Sequence, residues 1–215
     1  SKPAIELAQA ELGDEIASGR YELIHSDLAD LDPGPRPKAD LALALMVMEH
    51  VPDDVGFVRA MISHVKPGGY VLISVPGRRD RWSFEDETVG HVRRYERSDL
   101  GAVLHLAGAR DIVVRSVSVP VANLLHGVGN LLLKRAGEAR KLDTSKREQT
   151  DTSGIRDIPY KTVFPRIFRL LLNPIALYPL FVVQRLFYSS SLGLELMALA
   201  RAPLADQRAT DWNRA

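Results

Sequence analysis

The chain of 215 residues contains no cysteine, which excludes disulfides, thiolate nucleophiles and cysteine metal sites. Neither sign of charge is in excess: 28 Lys and Arg face 27 Asp and Glu, a formal net charge of +1. A surface built for nucleic acid needs a basic excess, so no nucleic-acid partner is expected. Long apolar runs are missing as well. The longest uncharged part of the most apolar segment, Leu170 to Val183, falls short of the roughly 20 residues that span a bilayer. The opening residues, SKPAIELAQAEL, carry no apolar signal core, and a cytoplasmic protein is expected. A glycine-rich G-x-G-x-G loop, whose backbone could wrap a cofactor at a strand end, is also absent.

What remains is ordinary globular material, 46% hydrophobic and 26% charged, long enough for one sizeable domain with an insertion. Residues 3–18 follow helical spacing through Ile5, Leu7, Ala8, Leu12 and Ile16. Tyr21 to Ser26 reads as a short strand, followed by the Pro/Gly/Asp-rich loop ADLDPGPRPKAD. Leu41 to Val47 is almost continuously apolar, as in a strand covered on both faces. A helix capped by Pro52-Asp53-Asp54 turns Val55, Val58, Met61, Ile62 and Val65 inward. Gly68-Gly69 ends it, and Tyr70 to Val75 forms the next strand. A helix from Ser98 to about Ala107 and a strand from Asp111 to Val119 follow. Alternation of this kind predicts an α/β, doubly wound sheet.

Beyond Pro120 the pattern changes. Residues 120–190 read as a helical insertion, with a charged linker over 134–157 and an apolar, arginine-flanked part over 164–188. That part suits a cap or homodimer contact, or an interfacial segment peripheral to a membrane. Residues 191–201 then return as a last core strand, and 202–215 form a polar tail. The core proper is 1–119.

Ligands of doubly wound folds bind beyond the carboxyl ends of the strands, and three stretches fall there. Asp27, before Leu28, either caps a turn or offers a pure hydrogen-bond acceptor. Glu49 and His50 follow the strand that holds Leu45, and as residues alone they could simply cap the strand-to-helix turn. The third stretch, GRRDRWSFEDETVGHVRRYER from Gly77 to Arg97, has the densest chemistry. His91 is a candidate general base that Asp86 or Glu87 could orient. Arg93 and Arg94 could clamp a carboxylate or phosphate, with Tyr95 and Trp82 as packing anchors. The alternative is a salt-bridged loop that only closes over the site.

The Leu45-to-Val51 turn, Lys66-Pro67-Gly68-Gly69 and the Asp86–Tyr95 box together resemble the later part of class I S-adenosylmethionine-dependent methyltransferases. The resemblance is to the methyltransferase type 11 and quinone-biosynthesis groups. It implies a Rossmann-like doubly wound sheet, N-terminally incomplete here, with the helical insertion before the last strand. It implies S-adenosyl-L-methionine as cofactor, with Asp27 on the adenine amino group, the Leu28 amide against the ring and the Leu45 backbone at the methionine end. Glu49 and His50 would line the boundary with the substrate, a small-molecule or lipid-linked acceptor, alongside Arg93, Arg94 and Tyr95. Some quinone O-methyltransferases hold a divalent metal with an acidic residue three positions before the Glu. Met46 stands there in this chain, so no metal is expected.

In such enzymes the glycine-rich loop and the first two strands precede the region of resemblance, which starts near Ser1. The chain as given is therefore expected to be a fragment, or to be completed by a partner, and not to bind the cofactor with useful affinity. A degenerate binding or scaffolding module is the alternative function. A nicotinamide-dependent enzyme has no support, since neither G-x-x-x-G-x-G nor Tyr-x-x-x-Lys occurs.

Overall fold

The apolar runs Leu41 to Leu45 and Tyr70 to Val75 suit a pleated surface packed on a core, and both segments are strands. In the computed structural model, which describes residues 2–34, 38–120, 122–123 and 173–205, four strands form one sheet. They are β1 (Ala39–Leu45), β2 (Val65–Pro76), β3 (Arg110–Val117) and β4 (Glu195–Arg201), in the order β1-β2-β4-β3. β1 and β2 are parallel, and β4 is antiparallel to both of its neighbours. β3 therefore runs with β1 and β2, so three carboxyl ends and the start of β4 share one edge of the sheet.

Helices α1 (Lys2–Glu11) and α2 (Gly13–Ala17) come first, and α3 (Asp54–Ser63) joins β1 to β2. The short α4 (Phe84–Val89) and α5 (Arg97–Leu106) lie between β2 and β3, and α6 (Pro174–Leu186) precedes β4. Asp53 starts α3 by accepting a 2.8 Å hydrogen bond from the Gly56 amide, which satisfies one of the free N–H groups of the first turn. Val58, Met61 and Ile62 are then buried with Leu100 and Leu104 of α5 against Val71, Ile73, Val75, Leu196 and Ala198. Each such side chain removed from water is worth about 1.5–3 kcal/mol, which fixes both helices on this face.

Several expectations are corrected. β1 is not covered on both faces among the described residues: Leu41, Leu43 and Leu45 are exposed, Leu43 by 57%. The reason is one-sided packing, since α3 and α5 both cover the face that carries Ala44 and Ile73. Tyr21 to Ser26 is not a strand; it has no ladder partner among the described residues, and β propensity alone cannot make a sheet. The single helix over 3–18 is two, broken at Leu12.

Gly68-Gly69 do not separate helix from strand but lie within β2. The ladder with β1 is irregular there, between Ala39 and Leu41. Gly68 has φ +74, a conformation open to glycine at little cost. The stretch from Gly77 to Arg97 contains α4 and runs into the start of α5. The proposed linker 134–157 and most of the insertion lie outside the described residues.

Candidate functional site

Two chain segments meet over the shared edge. The first leaves β1, where Met46 takes φ 55 and donates its amide to Ser74 O. It then makes a short 3-10 turn from Met48 to His50. The second leaves β2 at Gly77 and returns at Tyr95, whose amide bonds Pro76 O. The two are tied together where the Val92 amide donates to Glu49 O at 3.0 Å.

The second segment is shaped by α4. Asp86 lies in its first turn, and its Oδ2 accepts from the Ser83 amide at 2.7 Å and the Ser83 hydroxyl at 3.0 Å. Gly90, at φ +78 in the left-handed region, ends the helix, and the next residue is turned back toward the helix start. His91 Nδ1 thereby reaches Asp86 Oδ1 at 2.8 Å, and Arg94 Nε reaches the same oxygen at 2.8 Å. Burial by itself would raise the Asp86 carboxyl, but hydrogen bonds from His91 and Arg94 outweigh it and hold the group well below the usual range. An ionised carboxylate only accepts, so Nδ1 of His91 carries the hydrogen and Nε2 is the nitrogen directed onward.

That nitrogen faces Glu49. The Glu49 side chain is fully buried, with Oε1 3.7 Å from His91 Nε2 and 4.0 Å from His50 Nε2. Burial, aided by the negative charges of Asp86 and Glu195, pushes its carboxyl up to about 7. The two imidazoles pack edge to face with centroids 4.8 Å apart. His50 is lowered by burial and by its neighbour His91, and its Nδ1 lies 3.3 Å from Gly90 O. Glu49, His50 and His91 present three metal-binding atoms within 4.8 Å of one another.

The other residues named from the sequence separate into groups. Glu87 does not join Asp86; it accepts from Trp82 Nε1 at 2.5 Å. Arg93 bonds Asp54 Oδ2 and Pro52 O, both at 2.6 Å, and Tyr95 bonds Asp54 at 3.0 Å. Burial first, then the Asp54 charge, raises the Tyr95 phenol well above its normal range. Arg94 also bonds Gly77 O at 3.0 Å and is buried. Both arginines therefore hold the loop together, with Arg94 acting through Asp86.

Asp27 accepts from the Ala29 amide at 3.1 Å, so it caps a turn, while it remains exposed. Leu28 packs against the main core, and Leu45 ends β1 with its side chain exposed. Asp27 keeps acceptor capacity beyond the Ala29 amide, and the backbone at the end of β1 lies on the shared strand edge. A glycine-rich loop to wrap the expected cofactor is not among these residues.

Sequence reasoning missed Glu195, which accepts from Ser74 Oγ at 2.7 Å and Ser118 Oγ at 3.1 Å on the same edge. No motif announces it, because the three residues come from three distant strand ends. Asp54 was legible only as a helix cap.

A family model described as a methyltransferase domain matches residues 6–113. The ubiquinone biosynthesis O-methyltransferase of Alkalilimnicola ehrlichii is 34% identical over 82 residues, 38% of this chain and 32% of that protein. Its namesake from Thiobacillus denitrificans is 35% identical over 79 residues, 36% of this chain and 33% of that protein. The aligned parts thus span about a third of the length of these curated relatives. Among solved structures, the cyclase SpnF superposes with a TM-score of 0.50 at 17% identity, covering 95% of this chain and 65% of that one, a likeness of fold. With half of its residues inside the family model, the chain belongs to the methyltransferase-domain family.

Proposed function

We propose that the protein transfers a methyl group from S-adenosylmethionine to an oxygen of a small or lipid-linked acceptor. One observation carries this reading: the β1–α3 turn and the β2–α5 loop converge on one strand edge of a methyltransferase-domain chain. There they bury a carboxylate against two imidazoles. The names of the relatives, both O-methyltransferases of ubiquinone biosynthesis, support oxygen as the atom methylated.

When bound, the cofactor supplies an electrophilic methyl group. Asp27 would accept from its adenine amino group, with the Leu28 amide at the ring and the Leu45 backbone at the methionine end. On the acceptor side, Glu49 and His50 form the buried wall and exclude water. His91, held through Nδ1 by Asp86, is the side chain best placed to take the acceptor hydroxyl's proton on Nε2. Alignment of the two reactants supplies most of the remaining rate enhancement.

Incubating the full-length protein with methyl-labelled S-adenosylmethionine and phenolic, catecholic and prenylated catechol acceptors tests this. Label recovered on an acceptor oxygen is expected. Cofactor binding without transfer to any acceptor would favour the scaffolding alternative.

α6 supports a peripheral membrane contact in the same protein. Among the described residues Ile175 is 87% and Leu186 80% exposed, and Arg185 lies in the last turn. No helix among the described residues is long and apolar enough to cross a membrane. Flotation with anionic liposomes should carry the protein upward, and failure to co-migrate removes this contact.

A further inference from the structure

Glu195 reaches the strand edge from the start of β4, and the reaction described above does not use it. Its Oε1 accepts from Ser74 Oγ at 2.7 Å and its Oε2 from Ser118 Oγ at 3.1 Å. One carboxylate therefore joins the end of β2 to the residue that follows β3. Ser118 is held in turn through its amide, which donates to Gln184 Oε1 of α6 at 3.0 Å. A carboxylate can accept at more sites than two hydroxyls fill, and Glu195 is only half-buried. It has no ion-pair partner among the described residues.

A second acid serves the same edge. Glu49 is fully buried, and neither of its carboxylate oxygens has a hydrogen-bond partner among the described residues. The negative charges of Asp86 and Glu195 both act on it. Of these two, Asp86 is matched by Arg94, which leaves Glu195 as the uncompensated neighbour. A buried carboxylate without a donor marks a place for a donor or a cation, not for another acceptor.

The loop over this edge is rich in arginine, yet its cations are already taken. All six arginines from Gly77 to Arg97 are engaged by carboxylates or carbonyls of the protein. Arg93 and Arg94, the pair expected to clamp an anion, are bound to Asp54 and Asp86 instead. Charges that are wholly or partly buried are screened by salt much less than exposed ones, so the two glutamates repel an anion that enters the site.

We infer that the site selects its acceptor by charge, with Glu195 as the specificity-determining residue. A neutral or cationic acceptor is admitted, and one that carries a carboxylate or phosphate beside the reacting hydroxyl is rejected. Like charges set against each other are a general means of refusing the wrong partner. The inference rests on the methyl-transfer reading for what the ligand is, while the distribution of charge does not depend on it.

Three catechols that differ only at the end of a short side arm, in methyl, ammonium or carboxylate, provide the test. Each is offered to the full-length protein with methyl-labelled S-adenosylmethionine. The carboxylate acceptor should show a kcat/KM at least about tenfold below that of the methyl one, and the ammonium acceptor should equal or exceed it. Glu195→Gln should shrink the methyl-to-carboxylate ratio by at least about threefold, and Glu195→Asp, which keeps the charge, should restore it. A purely structural role would lower transfer to all three alike and leave the ratio unmoved. Glutamine still accepts from Ser74 and can donate to the Ser118 hydroxyl, and far-UV dichroism checks that the variant is folded. Should it not fold, the order of the three acceptors with the native protein decides the matter.

Equal kcat/KM for the methyl and carboxylate acceptors, or a ratio that Glu195→Gln leaves unaltered, overturns the proposal. If none of the three is methylated, their affinities in the presence of S-adenosylhomocysteine are compared by ligand-observed NMR. The same order of affinity then removes the methyl-transfer reading and leaves charge selection standing. Methyl transfer without preference does the reverse, and absence of both transfer and ordered binding removes the two together.

Discussion

Asp86 and His91 lie five residues apart and meet at 2.8 Å because α4 is short and stops at a left-handed glycine. One carboxylate thereby caps a helix with Oδ2 and anchors both His91 and Arg94 with Oδ1. Local helix chemistry and site chemistry are the same set of bonds.

Asp86→Asn should therefore cost more than a lost helix cap. Breaking a buried pair leaves the Arg94 charge uncompensated, which typically costs about 3–5 kcal/mol. Urea unfolding should show a loss of about 3 kcal/mol, and a loss below about 0.5 kcal/mol would contradict the role given to this carboxylate.

Gly90→Ala tests the turn. An L-residue in the left-handed region costs roughly 1–2 kcal/mol, and relaxing that strain would move the His91 backbone. Thermal melting should fall accordingly, and methyl transfer by the full-length protein should drop more than the stability change explains. Equal activity at reduced stability would detach His91 from the chemistry.

Glu49→Gln should behave in the opposite way. Above pH 7, where the carboxyl that burial raises to about 7 is ionised, removing a buried charge with no hydrogen-bond partner among the described residues should leave stability unchanged or raise it by up to about 1 kcal/mol. Denaturant midpoints of the two proteins give the comparison directly. A loss of several kcal/mol would show that the carboxylate is instead part of a structural pair.

The 215-residue chain should bind S-adenosylmethionine weakly, because it contains no glycine-rich G-x-G-x-G loop to wrap the cofactor. Isothermal titration should give no micromolar complex. Micromolar or tighter binding would mean that the described edge holds the cofactor without a glycine-rich loop.

Period and punctuation made much of the fold legible. The inward residues Val58, Met61 and Ile62 of α3 follow from helical spacing, and they are buried. Tyr21 to Ser26 failed because strand formation depends on a neighbour, which a local window cannot supply. The uncovered side of β1 failed for a related reason: an apolar run does not say whether a second layer lies against it.

By itself the sequence determined the α/β class, the family resemblance and which loop carries the densest cluster of ionisable groups, since these rest on local periodicity and on residues near one another in the chain. Only the tertiary structure decided which of those residues act together. It paired His91 with Asp86 and not with Glu87, and it turned Arg93 and Arg94 onto Asp54 and Asp86. It also brought Glu49 and His50 from the end of β1 to His91. Those relations span two loops folded over one sheet edge, and no spacing along the chain encodes the burial of Glu49 between them.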